Sequence, residues 1–491
     1  LCIASNPAGA WDILFGSAAT LAAALLCSCG DTEATVDTKS TNESVSTAVE
    51  STEELPPEPF DTKGYKFNAL VGYVTYRPVD VDAISGDIIN DELYSRNRRI
   101  EAAYNCVISS AYSDDIASDV RKNSMSGDDQ ITLAVADVYT AGGALALEGM
   151  LRDLFSVSSI DSERSWYDQN AIEELAVGGK LCLGFGNLDL SSNDNILCLA
   201  FNKKLMNDII GEDIYSIVSA GEWTIDRFRE MCEKVSDDLD GNGEMNWRDR
   251  YGLLGSSTNA HGLFYASGEK IVKKQSDGSL ALTMYNDRSV RLVEKIYDFC
   301  FESPWFADAT KIDITGATGD MWSVALGMFQ SDKGLFRSSL IRDLISYRSM
   351  DTDFGILPYP KLDEAQERYY TPLHVNLAAF MMPVSVYDHE TAGALIEALS
   401  ADSHKNLLPL YYEKTLQGKV SRDNESSAML DIIFGSKTYD IGSIYDTGGY
   451  RRLIIDTAGA GKRTFASDYA ANESTAKSDL AELGEKLGNI K

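Results

Sequence analysis

Basic residues are scarce in this chain. Forty-four Lys and Arg stand against 75 Asp and Glu, for a net charge of −31. A phosphate backbone is gripped by Lys and Arg, so this balance argues against a nucleic-acid partner and against docking on anionic lipid. The acidic surface serves solubility. A disulfide framework is also missing. Of eight cysteines, Cys2, Cys27 and Cys29 lie in a leader-like stretch. The other five (Cys106, Cys182, Cys198, Cys232 and Cys300) are odd in number and widely spaced. Most sit in apolar runs such as Ile196-Leu-Cys-Leu-Ala, where a thiol behaves as a small hydrophobe. Neither C-x-x-C nor zinc spacing occurs. The four histidines, His261, His374, His389 and His404, are scattered and form no H-E-x-x-H or i,i+4 pair. No G-x-S-x-G, Walker A or G-x-G-x-x-G is present, and Gly184-Phe-Gly-Asn is a lone turn. No repeat of solenoid period is found. Carboxylates are so abundant that a pair will fall in any cleft. A two-carboxylate glycosidase therefore stays open, but it has no positive motif and no catalytic residue is assigned.

What is present begins with an apolar run over residues 13–26, of signal-peptide length and too short to span a membrane. It ends in Leu26-Cys27-Ser28-Cys29-Gly30, which resembles the lipobox of bacterial lipoproteins. The resemblance implies a signal peptide over 1–29 and makes Cys29 the lipidated residue, anchoring the chain to the extracytoplasmic face of a cell membrane. The chain starts at Leu1 and no Lys or Arg precedes the run, so the expectation is that the natural start lies upstream. The alternative is a buried N-terminal helix. Residues 30–62 read as a disordered tether. Within them, 31–59 hold eight acidic residues and only Lys39, with abundant Ser and Thr. Such a stretch cannot bury enough apolar surface to order itself, and about thirty residues of it reach about 30 Å.

The body alternates strand and helix. Strands are expected over 68–76, 106–109 and 131–139, with helices around 91–104 and 116–122. This is an α/β pattern, with a largely parallel sheet covered by helices on both faces. Ligands bind beyond the carboxyl ends of such strands. Tyr73, Tyr76, Arg77, Tyr139 and Thr140 sit there and are candidate ligand contacts, though residues of these types at strand ends are more often packing than contact.

Residues 238–249 read D-L-D-G-N-G-E-M-N-W-R-D. The spacing fits a twelve-residue calcium loop, with oxygen donors at positions one, three and five and Gly243 at six. Asp238, Asp240 and Asn242 would give side-chain oxygens and Glu244 its backbone carbonyl. Asn246 would act through water. Asp249 closes the loop in place of the usual Glu, and its shorter arm weakens bidentate capture. With no ion, the same residues are a solvated acidic turn. A helix over 224–235, capped by Thr224, precedes the loop, and a strand from Arg250 follows it. There is one loop and no facing partner, so a structural clip is expected rather than a regulatory switch.

The loop also carries a family resemblance. Gly221-x-Trp-Thr-x-Asp-x-Phe, then Asp238-x-Asp-Gly-x-Gly, then Tyr251-Gly-Leu resembles the extracellular solute-binding proteins of family 1, the capture subunits of carbohydrate-type ABC importers. Ser165-Trp-Tyr-Asp-Gln, Gly179-Lys-Leu, Phe201-Asn-Lys-Lys-Leu, Ala266-Ser-Gly-Glu-Lys-Ile-Val and Asp353-Phe-Gly-Ile-Leu-Pro-Tyr-Pro follow in the order such proteins show. The resemblance runs from about residue 66 to the end. It implies a two-lobed periplasmic-binding-protein-like fold of type II with three hinge crossings, near 196–201, 375–383 and 428–435. The first lobe would take 63–197 and 376–428. The second would take 198–375, with the calcium loop, and most of 429–491. Asn187 and Asp189 would rim the cleft, and Phe336 and Arg337, at the end of a strand from Gly334, would form its floor. The implied ligand is a carbohydrate, an oligosaccharide above all, passed to an ABC permease without chemical change. A glycoside-processing enzyme and a surface adhesin or sensor partner are the alternatives.

Overall fold

The computed structural model describes residues 56–73, 76–301, 303–416, 424–488 and 490. The leader, Cys29 and most of the tether lie outside the described residues. Eleven strands occur among the described residues: β1 (Tyr65–Gly72), β2 (Cys106–Ser113), β3 (Leu133–Asp137), β4 (Leu197–Asn202), β5 (Tyr251–Gly255), β6 (Val272–Lys274), β7 (Leu280–Leu282), β8 (Phe306–Asp308), β9 (Gly334–Leu340), β10 (Phe354–Leu357) and β11 (Ala378–Met381). They form a four-stranded sheet ordered β11-β3-β1-β2, a five-stranded sheet ordered β10-β4-β9-β5-β8, and the small pair β6-β7.

In the first sheet β1 runs parallel to β2 and β3, and β11 closes the edge antiparallel to β3. Its parallel strands are joined by the helices Ile88–Tyr104 and Ile116–Ser126. Leu93, Ile100 and Tyr104 are buried on the first helix, as their helical spacing requires. The second sheet is mixed: β5, β8 and β9 are parallel, and β4 alone is reversed, antiparallel to both β9 and β10. β4 is the apolar run around Cys198 and is buried at all six positions. A strand covered on both faces has no polar alternation, which is why its sequence reads as one apolar block.

The aromatic motif around Trp223 now has a packing reason. The Trp223 ring is fully buried and its indole N–H donates to the Pro358 carbonyl at 3.0 Å. The Thr224 hydroxyl accepts from the Arg227 N–H and caps the helix Ile225–Val235. Phe228 from that helix meets Trp223, Phe299 and Phe336 with ring centroids 4.8–5.3 Å away. Each such side chain contributes about 1.5–3 kcal/mol by burial. Gly252 lets β5 lie directly on this helix, because a Cβ there would fall 2.3 Å from the Cα of Cys232.

The chain passes between the sheets at places that differ from the expected ones. β4 lies wholly in the second sheet, so 196–201 is not a passage and the chain changes sheet just before it. There the Leu197 N–H donates to Pro372 and the His374 N–H to Asn195, placing two connecting segments side by side. β11 belongs wholly to the first sheet, so the return runs through residues 371–377. The segment 428–435 is part of the helix Asn424–Gly435, which already packs on β10 of the second sheet. In each case the expected passage was an apolar run, and apolar runs are what a sheet or helix buries.

Candidate functional site

A cavity of about 540 Å³ opens where β5, β8 and β9 end. This is the carboxyl end of the parallel strands, where backbone leaves the sheet and side chains can converge. Gly255 and Ser256 follow β5, Ala309 follows β8, and Arg337 through Leu340 come from β9. Trp322 and Leu326 come from the helix Met321–Gln330, Arg342 and Tyr347 from the turn after β9, and His374 from the connecting segment. Trp322 is 52% exposed in the first turn of its helix, which Asp320 caps. An exposed indole lining the cavity offers a flat apolar face.

His374 is a neutral hydrogen-bonding group. Burial, then the charges of His261 and Arg342, push its imidazole down to about 4. The Asn376 N–H donates to Nδ1 at 3.2 Å, so the neutral ring keeps its proton on Nε2 as a donor. Through Tyr76, past the end of β1, the first sheet reaches the segment that carries His374. The Tyr76 hydroxyl donates to the Asn376 carbonyl at 3.3 Å and to Asp137 at 3.4 Å. Burial, then the Asp137 carboxylate, raise the Tyr76 hydroxyl above its ordinary range, and Arg342 across the gap opposes them.

Of the nine residues expected to touch ligand, Arg337 lines the cavity and Tyr76 reaches the segment that carries His374. Tyr73 is 58% exposed after β1, at a left-handed φ of 46°, a strained backbone for a tyrosine. Thr140 is exposed after β3, and its hydroxyl donates to Asp137 at 2.9 Å. The other five are engaged elsewhere. Phe336 is fully buried among Trp223 and Phe228, because alternation along β9 turns it away from the Arg337 face. Arg77 is locked to Asp194 by two bonds of 2.6 and 3.0 Å, with the Tyr411 hydroxyl on the same carboxylate. Asp189 is buried and accepts from the Ser191 N–H and hydroxyl, and burial raises its carboxyl to about 6. The Asn187 amide is paired with the His404 ring at 2.7 Å. Tyr139 lines a separate, tight pocket of about 10 Å³ with His261 and Tyr265. In its place the cavity takes Trp322, Arg342 and His374, which strand-end reasoning missed. β9 runs on to Leu340 rather than stopping at Arg337, so the true strand end delivers Arg342.

The acidic loop forms a second cluster. Oxygens of Asp238, Asp240 and Asp249 lie within 4.8 Å of one another. Asp238 accepts from the Gly241 and Gly243 N–H groups, at 2.8 and 2.7 Å, and Gly243 has the positive φ of 84° that this turn needs. The Gly243 N–H, first of several, holds the Asp238 carboxyl below its ordinary range. Asp249 is fully buried and accepts from Leu239 and Asn246 N–H groups. Among the described residues no Lys or Arg pairs with these three carboxylates. The nearby Arg250 is turned to Asp237, with whose backbone it closes the loop's base. Three converging carboxylates without a cationic side chain repel one another, and an oxygen-only donor set suits a hard cation. The residues present therefore fit calcium.

No family profile and no curated protein matches this sequence. Solved structures do. The maltose/maltodextrin-binding domain MalE from Bdellovibrio bacteriovorus, bound to maltotriose, superposes with a TM-score of 0.53 at 15% identity, covering 85% of this chain and 100% of that one. A cyclo/maltodextrin-binding protein complexed with maltotetraose gives 0.54 at 15% identity, covering 88% and 100%. An ABC substrate-binding protein from Listeria monocytogenes in complex with cycloalternan gives 0.51 at 11% identity, covering 87% and 99%. The chain has the two-lobed fold of ABC substrate-binding proteins. This agrees with the resemblance carried by the motifs around Trp223 and the acidic loop.

Proposed function

We propose that this chain is the lipid-anchored solute-binding protein of an ABC importer, capturing a carbohydrate, in particular an oligosaccharide, and passing it unchanged to a membrane permease. The observation that carries the reading is the cavity itself. Trp322 offers a stacking face, and Ser256, Ser346 and the neutral His374 offer hydroxyl and N–H partners beside it. Sugar rings have apolar faces and hydroxyl edges, and this combination meets both. The likeness to binding proteins solved with maltotriose, maltotetraose and cycloalternan supports the class.

In this reading the two sheets are the centres of two lobes, joined by three passages of chain that allow them to close on the solute. Cys29 carries the lipid, and the acidic stretch after it spaces the body from the membrane. Calcium sits in the loop as a structural clip, held by Asp238, Asp240, Asn242, the Glu244 carbonyl and Asp249, with Asn246 acting through water. It joins the helix Ile225–Val235 to β5 and takes no part in ligand capture.

Native mass spectrometry with a panel of oligosaccharides tests the function. One ligand per chain, recovered with unchanged mass after hours of incubation, is the expected result. Cleaved products would replace the binding protein with a glycoside-processing enzyme. Binding of peptides alone would overturn the sugar assignment.

A further inference from the structure

Two arginines, Arg337 and Arg342, line the cavity against one carboxylate, Asp343, in an acidic chain. Asp and Glu outnumber Lys and Arg 75 to 44, and several arginines elsewhere are paired with carboxylates or carbonyls, although buried nitrogens of Arg152 and Arg348 also lack a hydrogen-bond partner among the described residues. Arg77 has two bonds to Asp194, and Arg121 has two to Glu148. Even the fully buried Arg96 finds the Val79 and Leu188 carbonyls, Ser403 and Asn97. The Arg337 guanidinium lies 5.6 Å from the centroid of the Tyr347 ring, and its Nη1 is buried with no hydrogen-bond partner among the described residues. Arg342 comes no closer than 3.9 Å to Asp343, beyond hydrogen-bond reach. His374 beside them is neutral at pH 7, so the arginines supply the cavity's positive charge.

A buried guanidinium N–H without an acceptor is costly, and the charge is not neutralised by sugar hydroxyls. The planar fork of an arginine matches a carboxylate or sulfate through parallel N–H···O bonds. We infer that the saccharide taken by this cavity is anionic, carrying a uronate carboxylate or a sulfate ester that Arg337 and Arg342 grip. The inference rests on the carbohydrate reading and narrows its substrate class. The sugar ring stacks on Trp322, and its acidic group lies toward the turn after β9.

Calorimetry on the full chain, with trigalacturonate, a sulfated chondroitin disaccharide and maltotriose as probes, tests this. One of the two anionic probes is expected to bind at least tenfold more tightly than maltotriose, with an affinity that falls as salt rises. Binding of trigalacturonate shows that a uronate suffices, whereas binding of the chondroitin disaccharide (which carries a uronate as well as a sulfate) without trigalacturonate assigns the sulfate. Arg342→Gln, at a half-exposed position, is expected to keep the melting temperature and to lose the anionic preference by tenfold or more. Arg337→Gln is expected to lose it too. Maltotriose binding as tightly as both anions, or an anionic affinity untouched by Arg342→Gln, would overturn the inference while leaving the carbohydrate reading intact. No heat with any of the three would overturn both.

Discussion

The Tyr76 hydroxyl, beyond the end of β1, donates to the carbonyl of Asn376, in the connecting segment that leads from the second sheet back to the first. This bond of 3.3 Å ties the first sheet's strand end to the segment that also carries His374. Tyr76→Phe removes it together with the bond to Asp137. The expected loss is about 0.5–1.5 kcal/mol of stability, with a several-fold weaker saccharide affinity because the segment that carries His374 loosens. Thermal unfolding and calorimetry on the same variant read both.

The calcium clip gives a separable prediction. Chelator is expected to lower the melting temperature of the intact chain, and Asp240→Ala to remove most of that dependence. Asp240 is exposed and accepts only within the loop, from the Asn242 N–H. Its loss should otherwise leave the fold intact. A melting curve indifferent to chelator counts against the clip.

Acid should destabilise the fold through His261. Burial pushes this ring down to about 4, against an ordinary value of 6.5, and Nε2 meets the Leu373 carbonyl at 3.0 Å. The unfolded chain therefore binds a proton at higher pH than the folded one. The contribution is fully present above pH 6.5 and is lost as pH falls toward 4, up to about 3 kcal/mol at about 1.36 kcal/mol per pKa unit. Asp189, raised to about 6 from 3.8 by burial, acts in the opposite sense, so its contribution falls as pH rises between those values. Denaturant melts across pH 4–7 on the parent and on His261→Gln isolate the histidine. A slope left unchanged by the substitution would contradict it.

Phe336→Ala is expected to cost about 3–5 kcal/mol through the cavity it leaves among Trp223 and Phe228. A purely local loss of ligand affinity at unchanged stability would return Phe336 to the binding site.

These residues also mark what the sequence could disclose. The helix after Trp223, the strand at Tyr251 and the acidic loop were legible because a cap, a glycine and oxygen donors at fixed spacing are local signals. The α/β alternation was legible for the same reason. The cavity was not. Leu340 extends β9 three residues past Arg337, and no local pattern separates a strand's continuation from the turn after it. Arg77, Asn187 and Asp189 have the composition of binding residues, but partners distant in sequence (Asp194, His404 and the Ser191 turn) occupy them. Trp322 and His374 lie on a helix start and a connecting segment, so nothing in their local sequence indicates that they share a cavity.

The most direct measurement is a calorimetric titration of the parent chain and of Trp322→Ala, run in parallel with maltotriose and trigalacturonate. The indole is half exposed, so its removal should spare the fold. Loss of its stacking face should weaken binding by about 1 kcal/mol or more, at least several-fold. One saturable site per parent chain, weakened in the variant, is the expected result. Equal affinities in the two proteins, or no heat from either of these saccharides or from the sulfated chondroitin disaccharide, would contradict the claim that this cavity captures a sugar.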